Sequence, residues 1–312
     1  MPFEIIEQLS IIPFWLLIAI LSYFLFAVVS LGDKYLLSGL PDPKVYSFYA
    51  GILGSLVFIL IPFVSFSIPQ IREALLSLAS GAFSIIALYF LFTGLKKFDV
   101  SRTIPAIGGF VPILTFLFLF LFSGGKEFLS IKDTFAFLFL IFGSVVITYN
   151  KNIKFSLNSL IISILAAFFF ALHFVLSKYV YLEQSFWSGF IMMRFGALIT
   201  AFLFLFIKDV RREVFSKRVS FDKKTGTFFV LNQGGGAGAF ILQHFSIFLA
   251  GPSYVSVIAA LSGIQYAFLF ILSFLLSVKF PWVIKEEIGK GIVFMKIFAI
   301  ILIIIGLIIL NV

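Results

Sequence analysis

Residues 101–123 read SRTIPAIGGFVPILTFLFLFLFS, and no charged residue follows Arg102 in this stretch. At a rise of about 1.5 Å per residue, a helix of about 20 apolar residues crosses the roughly 30 Å hydrocarbon core of a bilayer. Nine further stretches of this kind occur along the chain, at residues 13–37, 44–66, 75–95, 131–149, 157–181, 186–207, 226–249, 252–278 and 289–311. The sequence therefore predicts ten membrane-spanning segments.

The composition indicates that the spans are helical. Of the 312 residues, 62% are hydrophobic and only 12% are charged, which lies outside the range of soluble domains. Backbone groups in lipid must pair within the protein, so only helices and closed barrels can cross. Barrel strands alternate apolar and polar residues, whereas these runs are continuously apolar. We therefore predict an all-α integral membrane protein. The longest water-exposed segment, Lys208–Thr225, is too short for a soluble domain.

Several classes of chemistry are disfavoured. The chain has no cysteine, which excludes disulfides and thiolate metal sites, and we expect neither a metal nor a cofactor. Two separate histidines and no pair of acids within a span are a poor basis for an enzyme. An integral-membrane enzyme acting on a lipid-linked substrate, or a scaffold without transport activity, is the alternative. Glu4 and Glu7 precede the first span without any Lys or Arg, so we expect this span to be retained rather than cleaved.

The positive charge is unevenly distributed. The net charge is +9, and the densest basic run contains Lys208, Arg211, Arg212, Lys217, Arg218, Lys223 and Lys224. Basic loops beside membrane spans mark the cytoplasmic side and contact anionic lipid head groups. We therefore expect membrane lipid, and not nucleic acid, as the partner of this run. Lys and Arg concentrate after the odd-numbered spans, which predicts that those connections are cytoplasmic and that both termini lie outside.

The chain also repeats itself. Asp33-Lys34-Tyr35 closes the first span as Ser177-Lys178-Tyr179 closes the sixth, 144 residues later. Gly51 matches Gly196 at a spacing of 145. From the third span onward the spacing is 154 residues and pairs Gly81 with Gly235, Ser84 with Gly238, Leu95 with Leu249, Ala106 with Ala260 and Gly109 with Gly263. The matches keep the same order, which predicts two five-span units, residues 1–150 and 151–312.

Because five is an odd number, the second unit must enter the membrane from the opposite side. Inverted repeats of this kind are typical of secondary transporters, in which the two halves exchange conformations to open the cavity to either side. The repeat therefore predicts a carrier that works by alternating access. Neither a channel nor a structural protein needs it.

These features resemble the drug/metabolite transporter superfamily and its EamA-type ten-helix members. The resemblance rests on the two five-span units, the two tripeptides, Arg194-Phe195, residues 100–105 (VSRTIP), Pro112, Gly143 and Gly306. It covers nearly the whole chain. It implies transport of a small organic metabolite, such as an amino acid, a sugar-like or a drug-like solute, across a prokaryotic cell membrane, by a monomer or homodimer. Relatives generally place both termini in the cytoplasm, opposite to the charge count, so both orientations stay open.

Polar and small residues at membrane depth are the candidate site. Arg194 lies about nine residues into its span, roughly 13 Å deep, where a charge is costly and should face the interior. The predicted substrate cavity contains Arg102, Gly109, Arg194, Asn232, Gln233, His244, Gly263 and Gln265. For the small residues the alternative is close packing of helices. Candidate coupling residues are Asp33, His173 and Lys178. Asp33 could instead pair with a lysine, and a facilitator fits as well as a proton-coupled carrier.

Overall fold

The computed structural model describes residues 12–36, 42–98, 100–148, 156–216, 223–279 and 290–311. All regular structure within these ranges is helical, which confirms the predicted all-α class. The helices are α1 (Phe14–Leu36), α2 (Pro43–Gly54), α3 (Ile71–Lys97), α4 (Val100–Phe122), α5 (Ile131–Thr148), α6 (Leu157–Glu183), α7 (Phe186–Leu203), α8 (Lys208–Ser216), α9 (Lys223–Leu249), α10 (Val255–Ala260), α11 (Ser262–Lys279) and α12 (Lys290–Asn311).

Nine segments of the described chain are long and apolar enough to cross a membrane. They correspond to the predicted spans one to seven, nine and ten, which supports a multi-pass membrane protein. The predicted eighth span falls in α9, which is 27 residues long but carries three amides, a histidine and a run of glycines. These residues make α9 less apolar than the other long helices. The count of ten crossings stays a prediction.

The helix geometry changes within several of the long segments. After Gly54, α2 continues as a 3-10 helix, Ser55–Phe63, which contains Pro62. The predicted ninth span is divided into α10 and α11, with Leu261 between them. By contrast, α4 runs on through Pro105 and Pro112. Each proline removes one backbone donor from the helix, so a carbonyl of α4 lacks its usual partner.

The helices pack in a pattern that links distant parts of the chain. The first helix, α1, packs against α9 and α11, and α6 packs against α3 and α4. α5 packs against α12, and α2 packs against both α3 and α7. The short helix α10 is fully surrounded, with all six of its residues buried. Large apolar side chains such as Phe63, Ile131 and Phe206 point outward, as expected of a surface that lipid covers.

Glycine sets the closest approach, between α3 and α7. A Cβ atom at Gly81 would overlap the carbonyl oxygen of Met193, and one at Gly196 would overlap the backbone of Leu78. Only a residue without a side chain allows this contact. Small residues let membrane helices approach in this way, because van der Waals packing replaces the hydrophobic effect there.

Candidate functional site

Arg194 lies on α7 and is buried, with 8% of its surface exposed. Its guanidinium carbon lies 4.1 Å from the ring centre of Phe240 on α9 and 5.5 Å from that of Phe190 on α7. A Cβ atom at Gly54 of α2 would lie 3.1 Å from its Nη1 atom, so the backbone of α2 also borders the group. The ring faces attract the cation. No carboxylate of the described chain forms an ion pair with it.

Two nitrogen atoms of Arg194 have no partner. Nε and Nη2 are buried and make no hydrogen bond with any described residue. They lie on the same edge of the guanidinium plane, and this edge can donate two parallel hydrogen bonds to a carboxylate. A buried donor left unpaired costs about 1–3 kcal/mol, and more when it is charged. These two donors therefore need an acceptor that the described chain does not supply.

A second unpartnered group lies beside the same ring. His244 of α9 is fully buried, and its ring centre is 4.4 Å from that of Phe240. Its Nδ1 atom is hydrogen-bonded to the hydroxyl of Tyr181 on α6 at 2.9 Å, whereas Nε2 is buried without a partner. We refer to Arg194, Phe240, His244, Tyr181 and Phe190 as the arginine cluster. It joins α6, α7 and α9.

His173 borders this cluster but is hydrogen-bonded on one side. Its ring centre is 5.2 Å from that of His244. Its Nδ1 lies 3.0 Å from the backbone carbonyl oxygen of Ser80 on α3, to which it can donate. The hydroxyl of Ser177 donates to the carbonyl of His173 at 2.7 Å, and its oxygen lies 3.0 Å from the hydroxyl oxygen of Ser80. The structure thus places this candidate coupling residue in a network that fastens α3 to α6.

The other polar candidates of α9 and α11 are divided between two locations. Gln233 is half-buried and shares a helix face with Phe240 and His244, seven and eleven residues later. Asn232 is buried against α1, where its amide donates to the carbonyl of Val29 at 3.3 Å. Gln265 contacts α1 as well, through a 3.4 Å bond to the hydroxyl of Ser30. Asn232 therefore links α9 to α1 by a hydrogen bond, and Gln265 links α11 to α1 in the same way.

The two glycines predicted at equivalent positions of the repeats both contact α5. A Cβ atom at Gly263 would lie 2.9 Å from the Cβ of Ser144, and one at Gly109 would lie 3.1 Å from a methyl group of Val145. In this structure both glycines serve the packing of α4 and α11 on α5. Their predicted role in closing a cavity stays a prediction.

Lys178, a candidate coupling residue, is used in helix packing. It is 4% exposed on α6, and its ammonium group donates to the carbonyls of Ile247 and Phe248 at 3.2 and 3.1 Å. These carbonyls lie in the last turn of α9, where the helix lacks its own donors and carries partial negative charge. Lys178 therefore caps α9. The side chains of Asp33 and Arg102 lie outside the described part of the structure.

Sequence reasoning missed the aromatic members of the cluster. Phe190 lies four residues before Arg194, and Phe240 lies four residues before His244, so each ring shares a helix face with a polar candidate. That spacing could have selected these two residues among 46 phenylalanines. Within the described ranges, no three His, Asp or Glu side chains come close enough together to hold a metal ion.

Comparison with known proteins shows the fold but not a family. No protein-family model and no curated protein matches the sequence. The chain is similar to a solved structure described as the crystal structure of a protein, with 16% identity, 94% of each chain covered and a TM-score of 0.68. At this identity the likeness concerns the arrangement of helices alone.

Proposed function

We propose that this protein is a secondary transporter, which carries a small organic solute across a cell membrane by alternating access. In this proposal residues 1–150 and 151–312 are two inverted units of the kind found in the drug/metabolite transporter superfamily. The first unit contains α1 to α5. The second contains α6, α7, α9, the pair α10 and α11, and α12.

The packing of helices from one unit against helices of the other supports this organisation. α1 packs against α9 and α11, which are the third and fourth spans of the second unit. α6 packs against α3 and α4, which are the third and fourth spans of the first. The last spans of the two units, α5 and α12, pack against each other. A two-fold axis in the membrane plane would relate the helices in this way.

One departure from that symmetry carries the functional proposal. Gly81 of α3 meets the backbone of α7 at Met193 and Ala197. The equivalent contact in the other half would join Gly235 of α9 to α2. Instead, the nearest neighbour of a Cβ at Gly235 is Val29 of α1, at 3.2 Å.

Gly236 also faces Val29, at 3.5 Å, but two other glycines of α9 border open space. A Cβ atom at Gly234 or Gly238 would have no described neighbour within 4 Å. On the other side of the expected contact, Gly51 of α2 is packed against Ala201 and Ala197 of α7. In the proposed carrier, the crossing of α3 and α7 is therefore closed, and the equivalent crossing of α9 and α2 is open. A carrier needs this difference, because its two gates must never be open together.

Transport by the purified protein is the direct test. The full chain would be reconstituted into liposomes and offered a pool of labelled amino acids, sugars and organic acids, with protein-free liposomes as the control. We expect accumulation of at least one solute, and preloading with the same unlabelled solute should accelerate uptake, since exchange bypasses the return of the empty carrier. A folded protein that moves none of the pool in either direction would contradict the proposal. Chemical conversion of a lipid-linked substrate would support the enzyme alternative.

A further inference from the structure

We infer that the arginine cluster binds the carboxylate of the transported solute, and that this solute is a small organic monoanion with an apolar or aromatic body. The inference rests on the proposed transport function and specifies the substrate class. Its basis is the Nε–Nη2 edge of Arg194, which is buried and has no acceptor among the described residues. An uncompensated cation at membrane depth is costly, and in membrane proteins such residues commonly mark a substrate site.

The carboxylates that the structure describes lie elsewhere. Asp133 accepts hydrogen bonds from Ser130 and Tyr254, and Glu127 accepts one from Ser253. Others are at the surface: Glu183 lies 3.9 Å from Arg72, Asp42 lies 3.7 Å from Lys96, Glu73 accepts from the backbone of Gln70, and Asp209 is exposed. None of these groups approaches Arg194 as an ion-pair partner. Since no described carboxylate fills this role, we assign it to an anion bound from outside the chain.

The number of positive groups favours a carboxylate over a phosphate. The other buried cation of the described helices, Lys178, donates to two carbonyls at the end of α9 and is already used there. The cluster therefore offers one positive charge and one pair of parallel donors. A carboxylate has one charge and two coplanar oxygen atoms, which match that edge. A phosphate monoester would bring close to two charges and three oxygen atoms, which a single guanidinium leaves partly uncompensated.

The surroundings of Arg194 indicate the rest of the solute. Phe190 and Phe240 cover the guanidinium, and their ring centres are 6.0 Å apart. The Nε2 atom of His244 is the only other unpartnered buried atom of the cluster. If Tyr181 donates to Nδ1, then Nε2 carries a hydrogen and can donate to the same carboxylate or to a neighbouring polar atom. An apolar body next to one anionic group fits this combination.

The position of the cluster between α2 and α9 suggests where a solute would reach it. Phe240 of α9 covers the guanidinium of Arg194, its ring centre 4.1 Å from the guanidinium carbon. Gly54 of α2 borders Arg194 on the other side. A solute that enters between α2 and α9 would therefore meet the cluster before these helices close on it.

Binding of benzoate to the full-length protein tests the substrate class. Calorimetry in nanodiscs of neutral lipid would compare benzoate with benzamide, which has the same shape but no charge, and with phenyl phosphate. We expect benzoate to bind at least about tenfold more tightly than either, because only benzoate offers the guanidinium edge one negative charge and two coplanar oxygen atoms. Equal binding of benzamide would overturn the assignment of an anion site. Tighter binding of phenyl phosphate would overturn the assignment of a carboxylate.

Variants connect the binding to the guanidinium edge. Arg194→Gln should weaken benzoate binding about tenfold or more, whereas the control Arg72→Gln changes a surface arginine and should leave it unchanged. Arg194→Lys keeps the charge and protects against loss of the fold, but it lacks the bidentate edge and should recover only part of the affinity. Full affinity in a folded Arg194→Gln or Arg194→Lys protein would overturn the role of the edge.

The outcomes separate this inference from the proposed function. If the liposomes accumulate only neutral or cationic solutes, and Arg194→Gln transports them normally, the transport function is supported and the anion site is contradicted. If benzoate binds at Arg194 and nothing is transported, the anion site is supported and the transport function is contradicted. If the effect of Arg194→Gln appears only in nanodiscs of anionic lipid, the guanidinium binds a head group, and the solute assignment is wrong.

Discussion

At the crossing of α3 and α7, Gly81 and Gly196 bring two backbones into contact, whereas Gly234 and Gly238 of α9 have no described neighbour within 4 Å. Both regions are small-residue faces of long helices, and close helix packing is the usual role of such faces. On the proposed transport function, we attribute this difference to the conformation of the whole molecule. A glycine in such a carrier serves a contact that exists in only one of two conformations.

The largest effect should come from adding one methyl group to each region. Gly81→Ala places a Cβ against the carbonyl oxygen of Met193, and the backbone must move to relieve the overlap. Overpacking of this kind costs about 1–3 kcal/mol, and more where backbone is the obstacle. Gly234→Ala meets open space and should be neutral or stabilising by about 0.5–1 kcal/mol, because alanine favours the helix. Thermal unfolding of the purified variants measures both.

Equal melting temperatures for the two alanine variants would contradict the comparison. The pair Gly196→Ala and Gly238→Ala repeats the experiment from the opposite partner of the closed contact and from a second open position. Transport adds a separate result. If Gly234 packs only in the other state, Gly234→Leu should fold normally and yet slow the cycle, whereas unaltered uptake would indicate that this glycine faces lipid throughout.

Reactivity of introduced thiols should show the next largest effect. The chain has no native cysteine, and the predicted repeat pairs Gly238 of α9 with Ser84 of α3. Ser84 is buried, while Gly238 borders open space. We expect Gly238→Cys to react at least tenfold faster than Ser84→Cys with a membrane-impermeant maleimide. A saturating concentration of solute should reduce the difference between the two reaction rates, because turnover would open the contact of α3 with α7.

Two controls make this result decisive. If Gly238→Cys reacts with a lipid-soluble maleimide but not with the impermeant reagent, the open face of α9 is directed toward lipid. That result would contradict the proposal that this face borders a solute pathway. Cysteine at Ser216, in the predicted cytoplasmic connection, reports the orientation in the same cells. Labelling of Ser216→Cys without lysis would support the orientation implied by the family resemblance over the one implied by the charge count.

The apolar helices could be predicted from sequence because they depend on local composition. The burial of Arg194 follows from the cost of a charge in lipid. The partners of the polar residues could not be predicted, since they come from distant parts of the chain. Asn232 bonds to Val29, 203 residues away, and Lys178 bonds to Ile247, 69 residues away. A single span looks the same whether its amide faces a cavity or a neighbouring helix, and only the packing of the helices decides between them.

The smallest effect is expected when single hydrogen bonds are removed from the first helices of the two predicted units, α1 and α6. Ser22 of α1 donates a single hydrogen bond to the carbonyl of Ala239 on α9, at 2.8 Å. In the equivalent pair, α6 and α3 are joined by the network of Ser177, His173 and Ser80. Ser22→Ala should lower the free energy of unfolding by about 0.5–1.5 kcal/mol, because one hydrogen bond is lost and the volume hardly changes.

The same change should act differently in the second pair. Ser177→Ala leaves the bond between His173 and the carbonyl of Ser80 in place, so its cost should not exceed that of Ser22→Ala. Hydrogen exchange resolved by segment would then locate the effect, with faster exchange in α9 for Ser22→Ala and little change in α3 for Ser177→Ala. A larger loss of protection in α3 than in α9 would mean that the network acts as a unit, and that the closed half depends on it more strongly than its individual hydrogen bonds indicate.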